Sequence, residues 1–124
     1  KIEHRTVFVI QDGERTAIQK RPDKGLLAGL YELPNVKGTL SAQEAVKAVE
    51  KMKLEPLYIE ELEPAKHIFS HIEWRMTGYR IRVSSLETNR NSKLIFADNK
   101  QSDRQYAIPA AFGAYVKYMK EETR

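Results

Sequence analysis

The side chains that could do chemistry fall into a few groups, and their spacing limits what each can do. His67 and His71 stand four apart, with Glu73 two further on. On one helical face such a set could ligate a metal, but its neighbours read as strand and turn, which scatters the side chains. Glu60, Glu61 and Glu63 cluster before Pro64, the pattern of a solvated strand or turn. By pattern alone Phe69, Ser70 and His71 read as a core ring, a turn residue and a surface imidazole. Three basic groups could meet phosphates: Lys66, His67 and Arg75 around that triplet, then Lys20, Arg21 and Lys24, then Arg80 with Arg82. Two-residue spacing on a strand puts Arg80 and Arg82 side by side. No G-x-S-x-G, no H-E-x-x-H and no glycine-rich phosphate loop occurs, so the usual hydrolytic and nucleotide-cradling signatures are missing.

Composition narrows the classes further. The chain has 124 residues, of which 41% are apolar and 31% charged, a globular balance that fits one domain. It has no cysteine, which excludes a disulfide scaffold, Cys-ligated zinc, an iron–sulfur cluster held by this chain and a thiolate nucleophile. The longest uncharged apolar stretch, residues 108–116, falls far short of the ~20 residues that span a bilayer. The first residues are charged and mixed, unlike a signal peptide. The opening at Lys1 suggests a piece of a longer chain. Net charge is +4, from 21 Lys and Arg against 17 Asp and Glu, which permits a polyanionic partner without demanding one.

The elements that must position these groups are partly legible. Residues 5–11 (RTVFVIQ) and 16–20 (TAIQK) flank Asp12-Gly13, a hairpin signal. In residues 42–52, Ala42, Ala45, Val46, Val49 and Met52 repeat at helical spacing. Ser41 with Glu44 three residues later is a capping box at the helix start. Residues 57–62 and 66–69 read as short strands broken at Pro64, and 73–84 as the longest strand. There the alternation of Trp74, Met76, Tyr79, Ile81 and Val83 slips at Thr77-Gly78, which predicts a bulge. Residues 87–93 read as a turn, Leu94-Ile95-Phe96 as an edge strand, and Pro109 as the opening of a second helix. That helix carries Ile108, Phe112, Tyr115, Val116 and Met119 as a stripe. Leu30, Tyr31, Leu33, Trp74 and both helix stripes are assigned to the core. Strands, helix, strands, helix predict an α/β (α+β) sandwich, with a mixed sheet between helices.

Two sets of residues carry a family resemblance. Gly38, then five residues, then Glu44 matches the opening of the Nudix hydrolase box, G-x5-E-x7-R-E-U-x-E-E-x-G-U. The Arg-Glu of that box would fall at Met52-Lys53 and its Glu-Glu at Pro56-Leu57, so the carboxylates that hold divalent metal and activate water are missing. The second set is Lys20-Arg21-Pro22 through Gly25 to Pro34, then His67-Ile68-Phe69-Ser70-His71-Ile72-Glu73-Trp74, then Tyr106-Ala107-Ile108-Pro109. In that order, with a ruined box, these segments resemble the Nudix-like C-terminal domain of the MutY family of adenine DNA glycosylases. The family usually has tryptophan at the position of Tyr31 and phenylalanine at that of Leu33.

The resemblance implies a lesion-recognition domain that finds 8-oxoguanine opposite adenine in double-stranded DNA during base excision repair. It implies that catalysis, and a 4Fe-4S cluster, belong to an N-terminal glycosylase domain in cis, with no catalytic residue, metal or cofactor in this chain. It places Phe69, Ser70 and His71 at the lesion. Oxidation at C8 adds a carbonyl oxygen and turns N7 from acceptor to donor, and a serine hydroxyl can answer either change. Lys66, His67, Arg75, Lys20, Arg21 and Lys24 become phosphate candidates. A monomer in the bacterial cytoplasm, working at the nucleoid, is expected. Two other readings stay open: a divergent Nudix hydrolase of oxidised nucleotides using Glu60, Glu61 and Glu63, and a non-catalytic module that binds a protein or nucleotide.

Overall fold

The structure, a computed structural model, describes residues 1–86, 93–98, 106 and 108–120. Strand β1 (Ile2–Gln11) and β2 (Arg15–Lys20) form the expected hairpin, pairing at Gln11 and Thr16. The Asp12 carboxylate closes the turn by accepting from the Arg15 backbone at 3.0 Å and the Arg15 guanidinium at 2.8 Å. Two short strands follow, β3 (Tyr31–Glu32) on β2 and β4 (Asn35–Lys37) on β1. Helix α1 (Ala42–Lys51) then leads to the long hairpin of β5 (Pro56–Ile68) and β6 (Glu73–Val83). β7 (Ile95–Asp98) is the expected edge strand and pairs with β2.

β1 runs parallel to β6 without a break from Ile2–Glu73 to Gln11–Arg82, while the other pairings are antiparallel. The main sheet order is β3-β2-β1-β6-β5. One face buries Val7, Val9, Leu33, Trp74 and Met76 against Phe112, Tyr115 and Met119. The other buries Phe8, Ile10, Tyr79, Ile81 and Val83 against Ala45 and Val49 of α1. The mixed sheet between helices is therefore the observed fold.

Several expectations need correction. The slip at Thr77-Gly78 is no bulge in β6, since its register with β1 is unbroken there. Trp74, Met76 and Gly78 face one core; Tyr79, Ile81 and Val83 face the other. The strand changes which core it serves, so apolar positions change parity. The irregularity lies in the partner strand: Leu62 pairs with Gly78 but Ala65 with Met76, so Glu63 and Pro64 together oppose Thr77. A bulge tolerates proline because the ladder does not need its missing N–H. Pro64 therefore bends one continuous β5 instead of dividing two strands.

The second helix is also shorter than its apolar stripe suggests. It consists of α2 (Gly113–Val116) between 3-10 turns at Ala110–Phe112 and Lys117–Lys120. Phe112, Tyr115 and Met119 are buried there as expected. Leu30 and Ala42, both assigned to the core, are exposed, Leu30 by 43%. The turn predicted at residues 87–93 lies outside the described residues except for Lys93, and Ala107 of the closing motif lies outside them too.

Candidate nucleic-acid interface

The hairpin between β5 and β6 turns at Phe69–Ile72, where the Phe69 N–H donates to the Ile72 carbonyl at 2.7 Å. Ser70 and His71 stand exposed at its tip, whereas Phe69 is half-buried. A relay of edge-on rings anchors this turn. The Phe69 ring lies 4.7 Å from His67 and 5.1 Å from Trp74, and Trp74 lies 5.7 Å from Phe112 in the core. Edge-to-face geometry at such distances is favourable beyond simple burial, so the exposed tip has a rigid footing.

Trp74 is fully buried. Its indole N–H donates to Glu3 at 2.9 Å, and the Arg5 and Arg21 guanidinium groups lie 4.8 and 5.4 Å from its ring centre. Packed in this way, the ring supports the turn and is not free to stack on a base.

The basic groups meet different fates. Lys66 and Arg75 face each other across β5 and β6 and are exposed. His67 pairs with Trp74, so strand alternation sends it to the opposite face from Lys66. The Arg75 Nε donates to Glu73 at 2.7 Å, and this bond is the main reason the Glu73 carboxyl is held below its ordinary range. Lys20 and Lys24 are exposed. Arg21 is turned inward: it donates to Glu32 at 2.6 Å and to the Leu26 carbonyl at 2.9 Å. Glu32 is buried and also accepts from Gln19 at 2.8 Å and Asn35 at 2.9 Å. Arg80 donates to Gln11 at 3.1 Å and lies over the Tyr118 ring at 5.5 Å. Arg82 lies on the same strand face, beside the Gly13 turn.

The remnant of the Nudix box has a structural explanation. Gly38 adopts φ +98°, a conformation that favours glycine. Its N–H donates to the His4 carbonyl at 2.8 Å, and its carbonyl accepts from the Thr6 hydroxyl at 2.8 Å. Ser41 and Glu44 form both bonds of the capping box, at 2.9 and 3.2 Å. The backbone N–H of Ser41 is the first cause of the lowered pKa of Glu44. α1 ends at Lys51, Met52 caps it and Lys53 takes φ +67°. Positions 52, 53, 56 and 57 therefore lie beyond the last helical turn and bear no carboxylate.

The remaining acids do not converge. Glu60 pairs with Arg80 and Glu61 with Tyr79, on opposite faces of β5. Glu63 is bound by the Tyr118 hydroxyl at 2.8 Å and by Lys117 at 3.1 Å, the former chiefly lowering its pKa. Among the described residues no three His, Cys, Asp or Glu side chains gather as a metal site would require. No helix among them is long and apolar enough to cross a membrane.

A profile of the NUDIX domain matches residues 6–118. The chain belongs to the NUDIX-domain family. No curated protein gives a significant sequence match. Among solved structures, this NUDIX domain is similar to the C-terminal domain of mouse MUTYH from its complex with human PCNA. The two share 22% identity with a TM-score of 0.66, over 96% of this chain and 87% of that one. It is also similar to a MutT NUDIX hydrolase from Burkholderia pseudomallei (18% identity, TM-score 0.64, 100% and 99% coverage). A NUDIX hydrolase from Nitrosomonas europaea gives 11% identity and a TM-score of 0.67, with 98% and 91% coverage. At these identities the likeness is one of fold, which glycosylase domain and hydrolases share.

Sequence reasoning missed His4 and Thr77, which adjoin Arg75 on one face of the sheet. The signal for Thr77 was its two-residue spacing from Arg75. His4 could not be placed, because nothing local announces that β1 pairs in parallel with β6.

Proposed function

We propose that this NUDIX domain is the lesion-recognition domain of an adenine DNA glycosylase, reading 8-oxoguanine opposite adenine with Phe69, Ser70 and His71. The observation that carries the reading is the exposed Ser70-His71 tip on a turn tied to the core through Phe69 and Trp74. A recognition group must be accessible and still held in place, because ordering it on binding would cost affinity. Ser70 Oγ accepts from the N7–H of 8-oxoguanine or donates to its O8, and guanine offers the opposite pattern at N7. One such contact is worth ~1–3 kcal/mol of discrimination. Base removal, with its iron–sulfur cluster, is assigned to a glycosylase domain in cis. The likeness to the MUTYH C-terminal domain agrees with this division, as does the absence of carboxylates at positions 52, 53, 56 and 57.

The likeness to MutT hydrolases favours one competing reading, metal-dependent hydrolysis of an oxidised nucleotide. Amide NMR of the labelled chain separates the two. On titration with duplexes holding 8-oxoguanine or guanine opposite adenine, residues 69–72 should shift most, and at lower concentration for the lesion. Metal-dependent turnover of 8-oxo-dGTP, with these amides unmoved by either duplex, would replace this reading with the hydrolase.

A further inference from the structure

α1 covers only one end of its face of the sheet. On β6, Tyr79, Ile81 and Val83 are buried beneath it, while Thr77, Arg75 and Glu73, further along the same face, are partly or fully exposed. The register then brings basic side chains together. His4 of β1 stands opposite Arg75, and Arg75 stands opposite Lys66 of β5. Adjacent strands lie ~4.8 Å apart, so three exposed basic side chains occupy one row about 10 Å long. They line a shallow hollow of about 520 Å³, with Thr77 on its floor and the Pro64 bulge at its side.

Like charges directly opposite on paired strands are destabilising, and the Glu73 carboxylate, coupled to both Arg75 and Lys66, offsets only part of the repulsion between two cations. Glu73 engages Arg75 through Nε, which orients the guanidinium and leaves the other end of its donor fork for a ligand. Towards the hairpin tip the next row holds Ile2 and Ile68, 49% and 64% exposed, on either side of Glu73. The row lies on the order of 10 Å behind Ser70 along the strand, close to the ~12 Å width of a major groove. A tip reading a base edge would leave the row beside the flanking backbone.

We propose that this hollow seats a backbone phosphate of duplex DNA, held by Lys66, Arg75 and His4 with the Thr77 hydroxyl. The inference rests on the DNA-binding reading above and adds His4 and Thr77 to it. It also selects this row over the exposed lysines of the residue 20–24 loop.

The test measures binding of the 124-residue chain to two fluorescent duplexes, one with 8-oxoguanine opposite adenine and one undamaged, across a salt series. The proteins are wild type, Lys66→Ala/Arg75→Ala, His4→Ala and, as a control of equal charge, Lys20→Ala/Lys24→Ala. The row double variant should lose affinity equally on both duplexes, and its log K against log salt slope should fall by ~1 for one phosphate lost. His4→Ala should do the same to a smaller extent, and the control pair should change the slope less than the row pair. Circular dichroism should show all variants folded, since these side chains are exposed.

An unchanged slope in the row variant, or an equal fall in the control, would overturn the proposal. If wild type prefers the lesion duplex but the row variant behaves like wild type, only the phosphate seat fails. If the row variant weakens binding while wild type never prefers the lesion, only the lesion reading fails. No binding of either duplex by wild type sinks both.

Discussion

Gly78 sits in the middle of β6 at the point where the buried side chains pass from one core to the other, and Gly78→Ala tests that arrangement. A Cβ there would lie 2.3 Å from Tyr115 Cε1, 2.8 Å from Cζ and 2.9 Å from Cδ1. Ordinary carbon contacts are 3.5–4.0 Å, so the ring must retreat by more than about 1 Å. It is not free to do so, because Tyr115 is fully buried and its hydroxyl donates to the Glu63 carbonyl at 2.8 Å. Overpacking of a filled core costs ~1–3 kcal/mol. If the ring swings away instead, the buried bond is lost at ~1–3 kcal/mol. Glycine to alanine in an open strand would contribute the other way, by roughly 0.5–1 kcal/mol. The two routes are alternatives, so the net expectation is a loss of roughly 0.5–2.5 kcal/mol in Gly78→Ala. Urea unfolding should report it as a lower midpoint at nearly constant slope. Tyr115→Ala alone should cost ~3–5 kcal/mol, and adding Gly78→Ala to it should cost little more, because the obstructing ring has gone. Strict additivity of the two changes, or a Gly78→Ala loss below ~0.5 kcal/mol, would refute the reasoning.

Four further outcomes follow from the same geometry. Burial pushes the Tyr115 phenol up from 10.0 to about 12, so the stability it contributes is complete below pH 10 and disappears as pH rises through 12. The stability difference between wild type and Tyr115→Phe should therefore shrink across that window in alkaline unfolding curves. Arg21→Ala leaves the buried Glu32 carboxylate without its cation and should cost ~3–5 kcal/mol by urea unfolding, whereas Lys24→Ala should cost nearly nothing. Ser70→Ala should leave the stability measured by urea unfolding within ~0.5 kcal/mol of wild type. In a full-length glycosylase it should reduce the preference for 8-oxoguanine over guanine opposite adenine on the order of 10-fold, for one hydrogen bond of ~1–2 kcal/mol. With magnesium or manganese present, phosphate-release assays on nucleoside diphosphate derivatives should show no turnover that survives further purification.

Local patterns determined much of this protein. Asp12-Gly13 selects the β1–β2 hairpin through turn chemistry, and Ser41 with Glu44 marks the start of α1 because both capping bonds form within four residues. The loss of box carboxylates is a matter of composition at four positions and needed no fold. Tertiary structure decided what depends on partners distant in sequence. Pro64 could break β5 or merely bulge it, and the pairing of β5 with β6 on both sides of the proline makes it a bulge, with the Tyr115 hydroxyl on the Glu63 carbonyl across 52 residues. The slip at Thr77-Gly78 could signal a bulge or a change of core, and only helices packed on opposite faces distinguish the two. Arg21 and Lys24 look alike in a basic loop, until the buried Glu32 draws one inward and leaves the other in water. His4 meets Arg75 only because β1 lies parallel to β6, a pairing between strands 71 residues apart. Hydrogen-bond periodicity and capping are local energies and are written along the chain. Which charged side chains share a surface is fixed by burial and strand register, which come into being only when the sheet closes.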